Sequence, residues 1–266
     1  MRRPDDVRAR RRAGRLSRPP AASGQISLAR ALSKFGVCSR KEAARWIAAG
    51  RVRVGDVVEP SPARRIDPGR DRVTVDGRSV GDETERIVLA FHKPAGLVTT
   101  RVDPAGRPTI YAALGDVGRW VFPVGRLDRD TSGLLVLTND HRLGHRLTDP
   151  AHHVPKTYHV RVAGVPDGAA LRTLREGVAL AGGERTRRAR VRPLGTARDG
   201  TTWLEIVLTE GKNRQVRRMC AGIGHDVREL VRVRIGAFAL GDLAPGAWRR
   251  LEPDEVARLD RAARVS

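Results

Sequence analysis

The sequence has few cysteines, few aromatic residues and no long apolar run. Its two cysteines, Cys38 and Cys220, lie far apart, which excludes a disulfide framework or a zinc cluster and suits a reducing cytosol. No apolar segment approaches the roughly 20 residues that a membrane-spanning helix needs. The N-terminus lacks a hydrophobic secretory segment, although its arginine-rich start leaves an organelle transit peptide open. We therefore expect a cytoplasmic protein that does not enter membranes.

Lysine is also scarce, so arginine supplies most of the positive charge. Only five of the 51 basic residues are lysines, and the acidic residues number 30, which leaves a formal net charge of +21. This excess favours a polyanionic partner such as nucleic acid over an acidic small molecule, although a GC-rich coding bias toward arginine weakens the inference. A chain of 266 residues is long enough for one large domain or two smaller ones.

The first 23 residues have the composition of a tail. They hold eight arginines and two aspartates, a local charge of +6, with almost nothing apolar to bury. We predict a disordered basic tail over residues 1–23. Such a tail serves either for solubility or as an arm that grips RNA, and composition leaves both open.

Residues 24–84 have the pattern of a small domain made of two helices and a hairpin. Apolar residues recur at helical spacing over 28–35. Ser39 begins a capping box, which predicts a second helix over 40–49. The run VRVGDVV at 52–58 predicts a hairpin, and DRVTVDG adds a strand.

Seven basic residues in this domain could line one surface. Such a surface suits the phosphates of structured RNA, but an ordinary solvated helical face has the same composition. The residues are Arg30, Lys34, Arg40, Lys41, Arg45, Arg51 and Arg53.

Residues 85–253 are dominated by short aliphatic or β-branched runs that predict strands. Examples are IVLAFHK, LLVLT, KTYHVRV, WLEIVL and LVRVRIG. Helices fit near 140–148, 166–176 and 213–223, and a last helix or tail covers 254–266. Because strands and helices are interspersed without regular alternation, we predict an α+β domain on a largely antiparallel mixed sheet with flanking helices. We expect a monomer, since no apolar helix is left over.

The segment GRLDRDTSGLLVLTND at 125–140 is the first candidate for chemistry. It places Asp128 and Asp130 among Arg126 and Arg129, directly before an apolar strand. Positive neighbours favour the ionised carboxylate, which can act as a nucleophile or a base. The same arrangement also suits a loop aspartate that simply pairs with an arginine.

Two further segments supply polar and aromatic candidates. Tyr158 alternates with Val160 and Val162 on one face of its predicted strand, which suits a core tyrosine as well as a site residue. The segment EGKNRQVRRMCAGIGH opens a helix with four basic residues, for which phosphate contacts and solvated charges are both open. These are Lys212, Arg214, Arg217 and Arg218.

Four histidines raise the alternative of a metal site. His141 and His145 are four residues apart on a predicted helix, and His152 and His153 follow. No third ligand with suitable spacing accompanies them. We therefore expect surface histidines and no metal.

Four of these segments occur in an order that is similar to a known family. FHKPAGLVTT at 91–100, GRLDRDTSGLLVLTND, KTYHVRV and EGKNRQVRRMCAGIGH together resemble the bacterial ribosomal-RNA pseudouridine synthases of the RsuA type. The helix and hairpin pattern of residues 24–84 resembles the alpha-L RNA-binding module that many of these enzymes carry. The resemblance extends from about residue 26 to residue 253.

The resemblance implies a role for individual residues. Asp128 is the expected catalytic aspartate, and Asp130 occupies a position where an acidic residue is common but is not the nucleophile. Tyr158 is expected to stack on the flipped base. Lys212, with Arg214 as its rival, is expected to pair with the aspartate, and Arg126 to help the base leave the RNA helix. Lys93, Pro94 and Gly96 are expected to support the active-site sheet.

The implied reaction is the isomerisation of uridine to pseudouridine, which requires no metal, nucleotide or redox cofactor. The expected partner is ribosomal RNA, in a structured loop, either free or in an assembling subunit. The target subunit, the target uridine and the atom that the aspartate attacks remain open. One alternative is a noncatalytic RNA-binding ribosome-assembly factor. Another is a nucleic-acid hydrolase in which Asp130 supplies a second acid.

Overall fold

The computed structural model describes residues 25–68, 70–81 and 85–262, so the tail predicted at 1–23 lies outside the described residues. The described chain divides into two compact units. One contains the described residues up to Ala31 together with Arg40–Gly81. The other contains Leu32–Ser39 and residues 85–262. Among the described residues, no helix combines the length and the apolarity needed to cross a membrane.

Up to residue 81 the chain forms short helices and strands. They are β1 (Ile26–Ser27), α1 (Leu28–Lys34), α2 (Arg40–Ala48), β2 (Val52–Val54), β3 (Val57–Val58), β4 (Arg65–Ile66), β5 (Val73–Val75) and β6 (Arg78–Val80). The hairpin turns at Gly55, which has φ +59°, a conformation that suits glycine. An antiparallel sheet in the order β3-β2-β5-β6 and a separate β1-β4 pair complete this part.

Beyond residue 84 the chain forms the larger set of elements. They are β7 (Val88–Lys93), α3 (Ile110–Leu114), β8 (Phe122–Pro123), β9 (Ser132–Thr138), α4 (His141–Thr148), β10 (Lys156–Ala163), α5 (Gly168–Glu176), β11 (Arg190–Thr196), β12 (Thr201–Leu208), α6 (Gln215–Ala221), β13 (Val227–Ile235), β14 (Phe238–Ala239), β15 (Trp248–Arg250) and α7 (Pro253–Ala262). A short 3₁₀ turn, Pro150–His152, precedes β10.

These strands build one nine-stranded sheet in the order β11-β12-β10-β13-β9-β7-β15, with β14 on β13 and β8 on β9. Of the described pairs only β13 and β9 run parallel, through Val231 with Ser132 and Arg232 with Gly133. The prediction of an α+β fold with a largely antiparallel mixed sheet is therefore confirmed. Apolar residues that alternate along the strands bury against the helices, as Val160 and Leu204 do against Leu174 of α5 and Met219 of α6.

The parallel junction depends on Gly133. Its φ is +105°, and a Cβ atom there would lie 2.3 Å from the carbonyl oxygen of Arg232. Only glycine allows the two backbones to approach so closely. The junction therefore sets the start of β9, directly after Asp128 and Asp130, beside the middle of β13.

Beyond residue 84, the helix α3 and the strands β8, β11, β14 and β15 were not predicted. The sequence of β11, RVRPLGT, contains Pro193 and Gly195, both of which weaken strand predictions. The strand lies at the edge of the sheet, where a proline is tolerated because no further strand needs its missing N–H. The last helix is α7, and its Leu259 is fully buried in the core of the larger unit.

Candidate active site

The segment between β8 and β9, residues 124–131, carries Asp128 and is called the Asp128 loop. Side chains from neighbouring segments fix it. Thr99 Oγ1 donates to the carbonyl oxygen of Leu127 at 2.7 Å and accepts from Leu127 N at 3.3 Å. Thr131 N donates to the carbonyl oxygen of Asp128 at 3.1 Å and closes a turn. The backbone around Asp128 is thus held by individual hydrogen bonds rather than by strand pairing.

Lys93, the last residue of β7, anchors the Asp128 loop. Its side chain is fully buried, and Nζ donates to the carbonyl oxygens of Thr131 at 2.7 Å, Pro94 at 3.0 Å and Asp128 at 3.1 Å. Burial lowers the pKa of Lys93 to about 8, while the carboxylates of Asp130 and Asp128 act in the opposite direction. The support expected from Lys93 therefore reaches the loop itself.

The two carboxylates of the loop differ in their partners. The structure has no hydrogen bond to the Asp128 carboxylate from any described residue. The nearest cation is Arg214, whose Nη1 lies 3.9 Å from Asp128 Oδ2. Asp130, in contrast, accepts hydrogen bonds from Nη1 and Nη2 of Arg214 at 3.0 Å each. Nε of Arg217 lies 3.1 Å from Oδ2 of Asp130. Burial would raise the pKa of Asp130, but the hydrogen bonds from Arg214 and the charges of both arginines lower it overall.

Arg214 reaches the loop from a strained position. It is the N-terminal cap residue of α6, and its φ of 47° and ψ of 35° lie in the left-handed region. That conformation costs a non-glycine residue about 1–2 kcal/mol. The helix that follows buries Val216, Met219 and Cys220 in the core. Core packing of α6 therefore holds Arg214 where its guanidinium group meets both aspartates.

A cavity of about 410 Å³ opens beside the Asp128 loop. Its volume lies in the range of pockets that hold small ligands. Five residues to which the resemblance assigned a role line it together: Arg126, Asp128, Tyr158, Lys212 and Arg214. Asp130 is not among the described residues that line it, so only one of the two loop carboxylates faces this space.

Part of the cavity wall, here called the cavity floor, consists of Lys156, Tyr158, Leu230 and Arg232 on β10 and β13. Tyr158 lies opposite Arg232 in the antiparallel register, and Lys156 precedes Tyr158 by two residues. The three polar side chains therefore point to the same side of the sheet. Tyr158 also packs against two apolar core clusters. It is thus both a core tyrosine and a cavity residue.

The cavity floor is positively charged, and no described residue supplies a partner anion. Arg232 is only 4% exposed, and its Nε donates to the carbonyl oxygen of Leu134 at 2.8 Å. Its Nη2 is buried without a hydrogen-bond partner among the described residues. Burial, followed by the like charge of Arg232, lowers the pKa of Lys156 to about 8. No described carboxylate forms an ion pair with either cation.

Lys212 lines the cavity but has a different ion-pair partner from the one expected. Its Nζ donates to Glu184 Oε1 at 2.8 Å, and Arg218 lies 3.4 Å from the other oxygen of Glu184. The hydrogen bond from Lys212, despite burial, lowers the pKa of Glu184. Arg217 donates to the backbone carbonyl of Asp130 at 2.8 Å. Of the two rivals for pairing with Asp128, the described contacts favour Arg214.

The basic residues predicted to bind RNA near the N-terminus are all exposed: Arg30, Lys34, Arg40, Lys41, Arg45, Arg51 and Arg53. Arg51 is already engaged, because it pairs with Asp76 at 2.5 Å and lies over the ring of Trp46 at 4.8 Å. Exposure suits phosphate binding and a solvated face equally. Binding of RNA by these residues therefore stays a prediction.

The histidines that suggested a metal have other neighbours. His141 stacks on Phe122 with ring centroids 4.2 Å apart, and His153 contacts Arg187 at 2.8 Å. Within residues 25–68, 70–81 and 85–262, no three His, Cys, Asp or Glu side chains are grouped as metal ligands would be.

Sequence reasoning missed the charged cavity floor. A signal was present for both cations: Lys156 lies two residues before Tyr158, and Arg232 lies two residues after the buried Leu230. In a strand, that spacing places each cation on the face of its neighbour. The hydrogen bond between Thr99 and the Asp128 loop could not be predicted from a local sequence pattern, because it joins segments 28 residues apart.

Comparison with known proteins gives consistent matches. Residues 87–222 match the family model described as RNA pseudouridylate synthase. A protein named as an uncharacterized RNA pseudouridine synthase of Mycobacterium tuberculosis is 42% identical, over 89% of this chain and 94% of its own length. The ribosomal large subunit pseudouridine synthase B of Bacillus subtilis is 35% identical, over 87% of this chain and 94% of its own. A crystal structure of a pseudouridylate synthase is similar with a TM-score of 0.62 and 29% identity, covering 88% of this chain and 99% of that one.

Proposed function

The chain belongs to the RNA pseudouridylate synthase family, and from this premise we propose that it isomerises uridine in ribosomal RNA to pseudouridine. The similar protein of Bacillus subtilis is named for the large ribosomal subunit. Large-subunit RNA is therefore the proposed substrate, and the cytoplasm the proposed location. The recognised uridine lies in a structured loop, where extrusion of the base costs less than it does from a paired helix.

The observation that carries this proposal is the position of Asp128. Its carboxylate opens into the cavity, accepts no hydrogen bond from a described residue and has a guanidinium group 3.9 Å away. A carboxylate free of hydrogen bonds keeps its lone pairs for the substrate. Asp128 is accordingly the proposed nucleophile.

The reaction conserves all atoms. The bond between C1′ and N1 breaks, and its electron pair goes to the uracil ring. The ring turns within the cavity, and C5 forms a bond to C1′. C5 then loses its proton and N1 gains one, so that the product is an isomer of the substrate. Asp128 forms the transient covalent bond, either to the sugar or to the ring.

The other cavity residues position the base. Tyr158 stacks on the extruded uracil, an interaction worth about 1–3 kcal/mol. Arg214 holds the Asp128 loop through Asp130 and supplies the cation nearest to Asp128. Arg126, exposed at the cavity, helps the base to leave the RNA helix. The exposed basic residues near the N-terminus hold RNA through its phosphates.

The hydrolase alternative requires a second acid in the same space. Asp130 is bound by Arg214 and Arg217, and it is not among the described residues that line the cavity. No described contact favours hydrolysis, nor does any favour a noncatalytic assembly role.

The test is a pseudouridine map of ribosomal RNA in which carbodiimide adducts stop reverse transcription. Cells with the gene deleted are complemented with the wild type, Asp128→Asn or Asp130→Asn. We expect one stop in large-subunit RNA to vanish on deletion, to return with the wild type and at least in part with Asp130→Asn, and to stay absent with Asp128→Asn. Stops that all persist in the deletion strain contradict the proposal.

A further inference from the structure

The cavity floor holds two positive charges that no described group neutralises. Arg232 uses Nε within the fold, but its buried Nη2 has no acceptor among the described residues. Lys156 lines the same cavity, and the nearby charge that acts on it is the like charge of Arg232. Buried donors without acceptors are costly, so such an arrangement persists where a ligand supplies the acceptor.

We propose that Lys156 and Arg232 form a cationic subsite that binds a carbonyl oxygen of the flipped uracil and stabilises the negative charge that develops on the ring. This inference rests on the proposed function. It adds two catalytic residues to Asp128 and Tyr158, because both side chains would touch the reacting base.

Negative charge reaches the uracil carbonyl oxygens by either route open to Asp128. If the aspartate attacks the sugar, the electron pair of the C1′–N1 bond remains on the ring and is shared with O2 and O4. If the aspartate adds to C6, the displaced electrons reach O4. Cationic donors fixed in a buried site stabilise such charge far better than water does. The subsite therefore serves both routes.

The position of the subsite suits binding of the base rather than binding of the phosphates. Arg232 is 4% exposed and lies directly opposite Tyr158, the proposed stacking residue. A ring stacked on Tyr158 brings its edge toward the neighbouring strand, since opposite side chains in an antiparallel pair lie about 5 Å apart. The phosphates of the same nucleotide stay nearer to exposed cations such as Arg126.

The first experiment measures single-turnover rates on a ribosomal-RNA fragment that contains the mapped uridine, at saturating enzyme. Arg232→Gln and Lys156→Gln should each slow the conversion about 100-fold, while Lys156→Arg keeps most of the rate. Arg234→Gln is the matched control, because Arg234 is exposed, pairs with Thr157 and does not line the cavity. Thermal unfolding shows whether each variant folds.

The second experiment separates a catalytic from a merely structural role. The same fragment is prepared with 2-thiouridine or 4-thiouridine at the target, which weakens one carbonyl acceptor at a time. We expect one thio substitution to slow the wild type clearly and Arg232→Gln much less, because the variant has already lost the contact. If Arg232 had only a structural role, the rate losses from the thio substitution and from Arg232→Gln would multiply. If instead a methylphosphonate beside the target shows this coupling, the subsite binds phosphate and the proposal is wrong.

The outcomes distinguish this inference from the proposed function. If the wild type leaves the RNA unchanged, the proposed function fails. If the wild type converts the uridine and Lys156→Gln and Arg232→Gln match it, only the subsite is wrong. Should Arg232→Gln fail to fold, Lys156→Gln decides, since Lys156 is partly exposed and its side chain donates no hydrogen bond to a described residue.

Discussion

The rim of the cavity, formed by Arg214, Arg217 and Asp130, differs from the cavity floor in how its charges are balanced. At the rim, Arg214 and Arg217 meet the carboxylate of Asp130, and the structure balances its own charges. On the floor, Lys156 and Arg232 face the cavity without a described counter-ion. Ion pairs at the rim fix a geometry before any substrate arrives. Unbalanced charge on the floor is suited to a group that only the substrate brings.

Asp128→Asn has the largest expected effect: it should lower the single-turnover rate by about 10⁴-fold or more, since no other described residue replaces the proposed nucleophile. Asp130→Asn should lower the rate far less, because it weakens the hydrogen bonds with Arg214 but leaves Asp128 in place. Both rates are measured on the same RNA fragment. Equal losses would mean that the two carboxylates act as a pair.

Gly133→Ala tests the parallel junction between β9, which follows the Asp128 loop, and β13, which carries part of the cavity floor. The added Cβ atom would meet the backbone of Arg232 at 2.3 Å. We expect a loss of about 3 kcal/mol in the free energy of unfolding, measured in urea. The control is Gly182→Ala, where φ is +89° but no atom lies within 4 Å; strain alone should cost about 1 kcal/mol. A similar cost for both variants would contradict the close approach.

Arg214→Gln should remove both the bidentate bond to Asp130 and the cation nearest to Asp128. We expect the rate to fall about 100-fold with little change in RNA affinity. Arg218→Gln in the same helix is the control, because Arg218 contacts Glu184 and should change the rate little. A loss in RNA affinity instead of rate would assign Arg214 to binding.

The smallest expected effect is the response of Lys156 to pH. Its ammonium form is lost as the pH rises through about 8, so kcat/KM should fall above that value. Stability should change in the opposite direction. The pKa in the folded chain lies below the ordinary 10.5, so between about pH 8 and 10.5 the unfolded chain binds more protons and folding becomes more favourable as the pH rises.

The variants separate Lys156 from Lys93, whose pKa is also about 8. Lys156→Arg keeps its charge and should flatten the alkaline fall in kcat/KM. A fall that persists in this variant would point to Lys93. The other titratable groups that line the cavity are Asp128, Tyr158, Glu210, Lys212, Arg126, Arg214 and Arg232.

Local patterns were enough to predict most strands and helices of the larger unit, because their apolar residues alternate with period two or recur with period 3.6. Local patterns did not predict β11, because its sequence contains arginines, Pro193 and Gly195. Such a sequence is compatible with a strand at the edge of the sheet, where β11 lies. Asp128, Tyr158 and Arg214, to which the resemblance assigned roles in one site, line the same cavity, and their roles stay predictions. The resemblance could not choose between Lys212 and Arg214, because that choice depends on Glu184, a residue 28 positions away that binds Lys212.

The anchoring of Lys93 has a consequence for ionic strength. Its ammonium group is fully buried and bound by backbone carbonyls, which dissolved ions neither reach nor replace. The phosphate contacts proposed for the exposed arginines should, in contrast, be screened strongly by added salt. Rising salt should therefore weaken the capture of RNA while the geometry at Asp128 persists. A salt series would then raise KM steeply and leave kcat nearly constant, so that recruitment and chemistry could be measured apart in the unmodified protein.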